Sequence, residues 1–525
     1  MGPLDDGSAR RRDHASRAAA LVVSVGIALA GGSSTSYAGE WTVEPSASLG
    51  ATLTDNVSVA PPGQEESDLV ITAIPVIVVR GQGGRVEGSL AYAPVLNTYV
   101  NSTSDSNIQH NLSALGTLEA VDNFFFVDAL ARASQISENP FGPTSTVSSS
   151  TNDNRLQSYA YGVSPYVQGV TRYDITYLAR YDALWSNFGS LGGNLYEGRI
   201  TTRLSGPRTR RLGWTAEYLR NDLDYSNQQG VFTDDIGRLI LDYEVVRTLR
   251  VQARGGYESN NYTEVGGYTG AVYGGGLNWT PTPRTSVNGF AEHRFFGTGY
   301  SLDASHRTRL TSWRVYGSRD STTTPQQLAS GGTVGVTPAE LLDSAFTARF
   351  PDPIERQALV NQTLNQLGIS PVDQTATLFV AQQAFLREEV GASVALTGKR
   401  NTIVFAVFWN ENTPLTPADQ PLAGFGFDQP FEQKGGSLSY SLRLSAISSV
   451  NALLSRTRTT TDPTFAVPLG QSSTDDLFRV AYNRDLAPRT NGFVGARYRK
   501  FKSSTQVGGD AEEHAVFVGV SHRWY

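Results

Sequence analysis

The chain has 525 residues, no cysteine, a single methionine, and 43 basic against 49 acidic side chains. That inventory excludes disulfide stapling, thiol chemistry and cysteine-based metal sites, and the near-even charge leaves no basic patch for nucleic acid. With 52 glycines, 23 tyrosines and 23 phenylalanines, the composition suits a sheet-rich chain with aromatic rims.

The N-terminus reads as a secretory signal. Arg10, Arg11, Arg12 and Arg17 precede the apolar run Ala18 to Ala30, and small residues follow around Ser36-Tyr37-Ala38. The expectation is a signal peptide over 1–38, cleaved after Ala38, and one continuous domain over 39–525. The apolar run is short for a membrane anchor and is broken by Ser24 and Gly26. No later stretch offers about 18 uninterrupted apolar residues. A barrel strand escapes that test, because only alternate residues face lipid.

Period-two alternation begins at Trp41, with Val43, Pro45, Ala47, Leu49, Ala51 and Leu53 on one face and Thr42, Glu44, Ser46, Ser48, Gly50 and Thr52 on the other. It recurs in Tyr173, Ile175, Tyr177, Ala179 and Tyr181, then in Leu239, Leu241, Tyr243 and Val245, then in Leu438, Tyr440, Leu442 and Leu444. Alternation alone suits a soluble sandwich as well as a barrel. The connections separate them. Tight joints fall at Gly81 to Gly84, Ala120 to Asn123, Gly169 to Thr171, Gly206 to Arg210, Arg247 to Thr248, Pro281 to Pro283, His306 to Arg309, Lys399 to Arg400, Ala446 to Ser449 and Ala487 to Thr490. Between them lie longer polar stretches such as Ser137 to Asp153 and Asn410 to Pro430, with Gly297 to Gly299 a short exception. Short and long connections alternate when periplasmic turns close one end of a barrel and external loops the other. The fold class that follows is all-β: a single antiparallel transmembrane β-barrel of about 22 strands, within roughly 18–24, with both termini at the short-turn end. Trp41, Tyr99, Trp185, Trp279, Trp313, Trp409, Trp524 and Tyr525 fall near predicted strand ends, where interfacial aromatics sit. In the last strand Val516, Val518, Val520 and Trp524 alternate through His522, so either Tyr525 overhangs or a bulge resets the register.

Between Ser321 and Phe385 the pattern changes to helix. Thr337-Pro338-Ala339-Glu340 and Asp352-Pro353-Ile354-Glu355 each place a cap, a first-turn proline and a glutamate at the third helical position. The 321–385 insert leaves from the long-loop end and has to bury an apolar stripe, either by plugging the lumen or by packing on itself as a surface cap.

Nothing in the chain has the spacing of a catalytic or metal site. His110, His293, His306, His514 and His522 form no ligand pair, and Gly255-Gly256 and Gly274-Gly275-Gly276 lack the strand-to-helix context of a phosphate loop. The expectation is no catalytic residue, no cofactor and no metal. The inward charges carry more: Arg172, Asp174, Arg180, Asp182, Arg238, Asp242, Glu244, Arg250 and Arg254 are candidate lumen-lining residues. They serve either solute recognition or mutual salt-bridging that stabilises the wall.

The opening Trp41-Thr42-Val43-Glu44-Pro45-Ser46-Ala47-Ser48-Leu49 with Thr54-Asp55-Asn56-Val57, then Ser67-Asp68-Leu69 and Gly83-Gly84-Arg85, carries a family likeness. So do Ser305-His306-Arg307-Thr308-Arg309 with Trp313, Asp352-Pro353-Ile354-Glu355-Arg356, and Leu396-Thr397-Gly398-Lys399-Arg400-Asn401-Thr402. Across the mature chain the sequence resembles the outer-membrane β-barrel proteins associated with PEP-CTERM/exosortase systems. The resemblance implies a Gram-negative host, the cell outer membrane, and a place beside the export of exopolysaccharide and PEP-CTERM surface proteins. It brings no catalytic residues.

The leading expectation is an outer-membrane channel or secretion component. The partners expected are outer-membrane lipid and lipopolysaccharide, the barrel assembly machinery, and polysaccharide or envelope-export components. A general diffusion porin and an outer-membrane lipid or glycan hydrolase are the alternatives. Only a few residues separate Ala38 from the first strand, too few for a plug folded ahead of the barrel as in a TonB-dependent transporter.

Overall fold

The computed structural model describes residues 40–524 except 102–103, 105, 144–148, 152–153, 189–193, 208–210, 226–230, 263–266, 331–383, 416–428, 462–469 and 505–508. The expected signal peptide and the helices expected at Thr337 and Asp352 lie outside the described residues.

The strands follow the alternation read above. In the first third of the chain they are β1 (Glu40–Thr54), β2 (Asp68–Gly83), β3 (Val86–Tyr92), β4 (Val95–Tyr99), β5 (Asn107–Gln109), β6 (Leu112–Val121), β7 (Phe125–Ile136) and β8 (Leu156–Val170). Next come β9 (Thr176–Asn187), β10 (Asn194–Ser205), β11 (Leu212–Tyr225), β12 (Val231–Val246), β13 (Leu249–Asn260), β14 (Tyr268–Thr282), β15 (Thr285–Arg294), β16 (Gly297–Arg307) and β17 (Thr311–Thr322). A short helix, α1 (Thr324–Ala329), precedes β18 (Phe385–Thr397), β19 (Asn401–Pro414), β20 (Phe431–Arg443), β21 (Ser448–Thr461), β22 (Gln471–Ala487), β23 (Thr490–Ser503) and β24 (Ala511–Arg523).

Each strand pairs antiparallel with its neighbours, and β1 pairs with β24, so the sheet closes. β3 and β4 run end to end along β2, and β5 and β6 are likewise two pieces of one strand, so the 24 segments make twenty-two barrel strands. Closure satisfies the backbone groups that an open edge would leave bare in hydrocarbon. Every predicted tight joint is a short connection at one end. Left-handed residues make several of these turns, among them Asn123 at φ 54°, Asp174 at φ 58° and Gly84 at φ 46°.

The outward faces carry large exposed apolar side chains, including Leu49 at 54%, Leu454 at 54% and Val516 at 55%. A belt of this kind is stable only against lipid. The protein is an outer-membrane β-barrel. Trp41, Trp279 and Trp313 stand exposed at the short-turn end. At the other end Trp185 stacks on Tyr161 at 5.5 Å and meets Tyr196 at 5.4 Å. Tyr99 departs from the expected girdle: it is buried on the inner side with Val57 and Val70, because β4 ends beside the inward face of β2. The last strand pairs with β1 and β23 without a bulge, so the frame of Val516, Val518 and Val520 runs on through His522.

Candidate functional site

The inward face begins with how the insert starts. β17 ends at Thr322, and Thr323 caps α1, its Oγ1 accepting from the backbone N–H of Gln326 at 3.4 Å. Pro325 fits the first turn, where its missing N–H costs nothing. This is a Thr-x-x-Gln capping sequence, yet the Gln326 side chain does not return to the cap. Instead its Nε2 donates to Glu197 of β10 at 2.6 Å, and the Thr323 hydroxyl donates to the same carboxylate. Glu197 is fully buried, and those two donors supply part of what water would have given it.

On the next turn Leu328 packs with Ile136, Leu156, Ala160, Phe188, Leu195 and Leu223, a cluster on the inner side of β7, β8, β10 and β11. The chain therefore leaves β17, folds inward, and meets the wall at β7 to β10.

Beneath this contact lies a charge cluster. Arg294, at the end of β15, donates its Nε to Glu258 of β13 at 3.1 Å, and its Nη2 is also bonded to Glu258. Its Nη1 reaches Asp320 of β17 at 2.5 Å and its Nη2 reaches Asp234 of β12 at 3.5 Å. Asp320 stands three residues before the α1 cap, so this arginine ties the root of the insert to the wall. Between the cluster and α1 is a polar cavity of about 90 Å³, lined among others by Arg199, Asn221, Tyr262, Arg294, Thr323 and Gln326.

Toward the short-turn end the same wall carries a ladder. Arg203 pairs with Glu217 at 2.6 Å, Glu217 with Arg238 at 3.4 Å, Arg238 with Glu292 at 2.6 Å, and Glu292 with Arg254 at 3.8 Å. Arg254 also lies over the Phe290 ring at 3.9 Å. The reach from β12 to β15 needs a low floor, and the glycines provide it. A Cβ on Gly256 would stand 2.0 Å from the Gly237 carbonyl oxygen, and one on Gly274 would stand 2.2 Å from that of Ala291. On the far wall Arg499 forks onto Asp475 at 2.9 and 2.6 Å, and Arg497 meets Glu513 at 2.5 Å while the Thr54 hydroxyl donates to the same carboxylate.

Of the nine residues singled out from sequence, Arg180 and Asp182 join at 2.6 Å with Asp128 on the other side of Arg180 at 2.5 Å. Arg238 and Arg254 meet at Glu292, Arg250 faces Glu244 at 3.8 Å, and Asp242 lies opposite Gly213 of β11 on the inward side. Arg172 and Asp174 are not in the wall. They occupy the turn between β8 and β9, where the Thr171 hydroxyl accepts from the backbone of Tyr173 and Ile175, and Arg172 lies over Tyr173. Sequence reasoning missed Glu197, Glu217, Glu258, Glu292, Arg294, Asp320, Arg497 and Arg499, although period two places most of them inward. The histidines are dispersed: His514 meets Asp55 at 3.0 Å, and His110 meets the Tyr92 hydroxyl at 2.9 Å. Among the described residues no group of His, Cys, Asp and Glu is arranged to hold a metal ion.

No family model and no curated protein matches the chain. Among solved structures it is similar to OccAB1 of Acinetobacter baumannii, at 10% identity with 92% of this chain and 97% of that one covered and a TM-score of 0.34. It is also similar to the siderophore receptor PirA of Acinetobacter baumannii, at 8% identity with 92% and 81% covered and a TM-score of 0.44. A third is OpdO of Pseudomonas aeruginosa, at 11% identity with 93% and 98% covered and a TM-score of 0.30.

Proposed function

We propose that the barrel is a channel whose external mouth is narrowed by its own insert. One observation carries this reading: the buried Glu197 carboxylate receives both Thr323 and Gln326, so the insert starts inside the barrel, bound to β10. The charged inward face supports a water-filled path rather than an apolar one. The motif resemblance supports a finer reading, export of a polysaccharide or of an envelope component beside exopolysaccharide and PEP-CTERM surface systems.

The test is conductance in planar bilayers. Glu197→Ala removes the acceptor of the insert, and Leu328→Asp ejects its apolar contact. Both are expected to raise unitary conductance and add gating noise, provided gel migration shows a folded, heat-modifiable barrel. Unchanged conductance in both folded variants defeats the constriction. For the finer reading, deleting the gene is expected to abolish surface exopolysaccharide and leave small-solute permeability as it was. The reverse pattern supports a general diffusion pore.

A further inference from the structure

The outer wall is not electrically even. At the long-loop end of β20 to β23, outward positions form two rows that the strand register sets side by side. In the upper row Lys434 lies opposite Arg458, Arg458 opposite Thr474, and Thr474 opposite Lys502. One step lower, Arg456 lies opposite Asp476 and Asp476 opposite Lys500. These residues share a face with Leu438, Leu454, Phe478 and Val494, all exposed at 41% or more. The cations therefore stand directly above the lipid belt, at headgroup level in the outer leaflet.

The lower row neutralises itself: Arg456 pairs with Asp476 at 3.4 Å, and Lys500 pairs with Glu512. The upper row is compensated only in part. Lys434 has Glu432 at 2.7 Å, with Glu411 opposite Glu432 on the same face, but among the described residues neither Arg458 nor Lys502 is in an ion pair, and both are exposed. The matching zone on β11 and β12 has the opposite sign: Arg220 stands among Asp222, Asp224 and Asp235, with Asp222 at 3.0 Å and Asp235 at 3.4 Å. The cationic face is thus a local feature, and it ends on a hydrocarbon surface.

We propose that Lys434, Arg458 and Lys502 form a docking site for the phosphates of an outer-leaflet glycolipid, a phosphorylated disaccharide carrying several acyl chains. Three strand spacings separate Lys434 from Lys502, about 14 Å, room for a disaccharide headgroup laid across the strands. Its acyl chains would run down over Leu438, Leu454 and Phe478. Arginine and lysine suit phosphate by charge and by their multiple donors. Such a lipid would stay with this side of the barrel and be repelled from the acidic β11–β12 side.

The experiment is native mass spectrometry of the full chain, folded in uncharged detergent, titrated with bisphosphorylated lipid A, with the same lipid stripped of phosphate, and with inorganic phosphate as competitor. The wild type is expected to retain the bisphosphorylated lipid, to hold the stripped lipid poorly, and to lose nothing to inorganic phosphate. Each Lys or Arg near an anionic lipid surface weights binding about fivefold, so the triple change Lys434→Gln, Arg458→Gln, Lys502→Gln is expected to weaken retention on the order of a hundredfold. Lys502→Gln alone, the mildest change, is expected to weaken it about fivefold. Removing as many charges at the short-turn end, by Arg247→Gln, Arg309→Gln and Lys399→Gln, is expected to leave retention unchanged. Wild-type retention by a folded triple variant overturns the site, as does equal retention of the stripped lipid. Displacement by inorganic phosphate overturns the assignment to a lipid.

Discussion

The inward faces of β10 to β17 and of β22 to β24 use the same residue types and connect them differently. On β22 to β24 two arginines are held by carboxylates of the adjacent strand, Arg499 by Asp475 and Arg497 by Glu513, while Arg479 of β22 lies over the Phe517 ring of β24 at 4.6 Å. Those pairs fasten neighbours that the backbone already fastens. On β10 to β17 Arg294 reaches carboxylates on three other strands, and Arg238 of β12 crosses β13 and β14 to Glu292 of β15. These contacts join strands that the backbone does not join, and one of them ends at the root of the insert. Connectivity, more than charge, separates a wall from a working surface.

The sharpest way to break this comparison is to remove one cation from each side. Arg294→Met leaves Glu258, fully buried, without its main partner, together with Asp234 and Asp320. Breaking a buried pair from one side costs about 3–5 kcal/mol, and two further carboxylates are left unbalanced here. Arg497→Met strips Glu513 of one donor but leaves it the Thr54 hydroxyl at 2.9 Å, so its loss is expected at about 1–3 kcal/mol. Urea titration of the barrel refolded into lipid vesicles measures both. Equal losses would mean that the far-reaching network is no more than a set of local pairs.

A second test addresses the floor beneath that network. Gly274→Val drives its Cβ toward the Ala291 carbonyl oxygen and the Glu292 backbone, whereas a Cβ on Gly255, one strand away and facing out, meets nothing within 4 Å. The first change is expected to destabilise the barrel by about 1–3 kcal/mol through overpacking. Gly255→Val is expected to be neutral or mildly favourable, since valine suits a lipid-facing strand position. Vesicle urea titrations that rank the two the other way would show that the glycines serve curvature rather than clearance.

The barrel was legible because its signals are local. Period two sets the faces, turn residues set the joints, and the alternation of short and long connections sets the ends. The lumen was legible only in part. Alternation put Arg238 and Arg254 inward, but their shared partner Glu292 is 54 residues from Arg238, and nothing in either neighbourhood announces it. Arg172 and Asp174 were carried into the wall by extending the frame of Tyr177 and Tyr181 four residues ahead of the start of β9 at Thr176. The turn overrides that frame, because Thr171 binds the backbone ahead of it and Asp174 takes φ 58°. The cap of α1 was available as Thr323-x-x-Gln326. The proline-glutamate pairs at Thr337 and Asp352 are the stronger helix signals in that stretch.

The smallest expected effect concerns what a passing ion senses. Arg250 is 38% exposed with Glu244 no nearer than 3.8 Å, while Arg254 is 15% exposed, lies over Phe290 and shares Glu292 with Arg238. A charge open to water and loosely paired dominates the local potential, and a compensated one contributes little beyond a screening length. Changing both to Gln is therefore expected to shift the reversal potential in a salt gradient modestly toward cations, with Arg250→Gln alone giving most of the shift. Arg254→Gln alone is expected to leave selectivity nearly unchanged and to lower stability instead, since Glu292 loses a partner at 3% exposure. If Arg254→Gln moves selectivity further than Arg250→Gln, the ladder is part of the ion path and the division between bracing charges and sensed charges on this wall is misplaced.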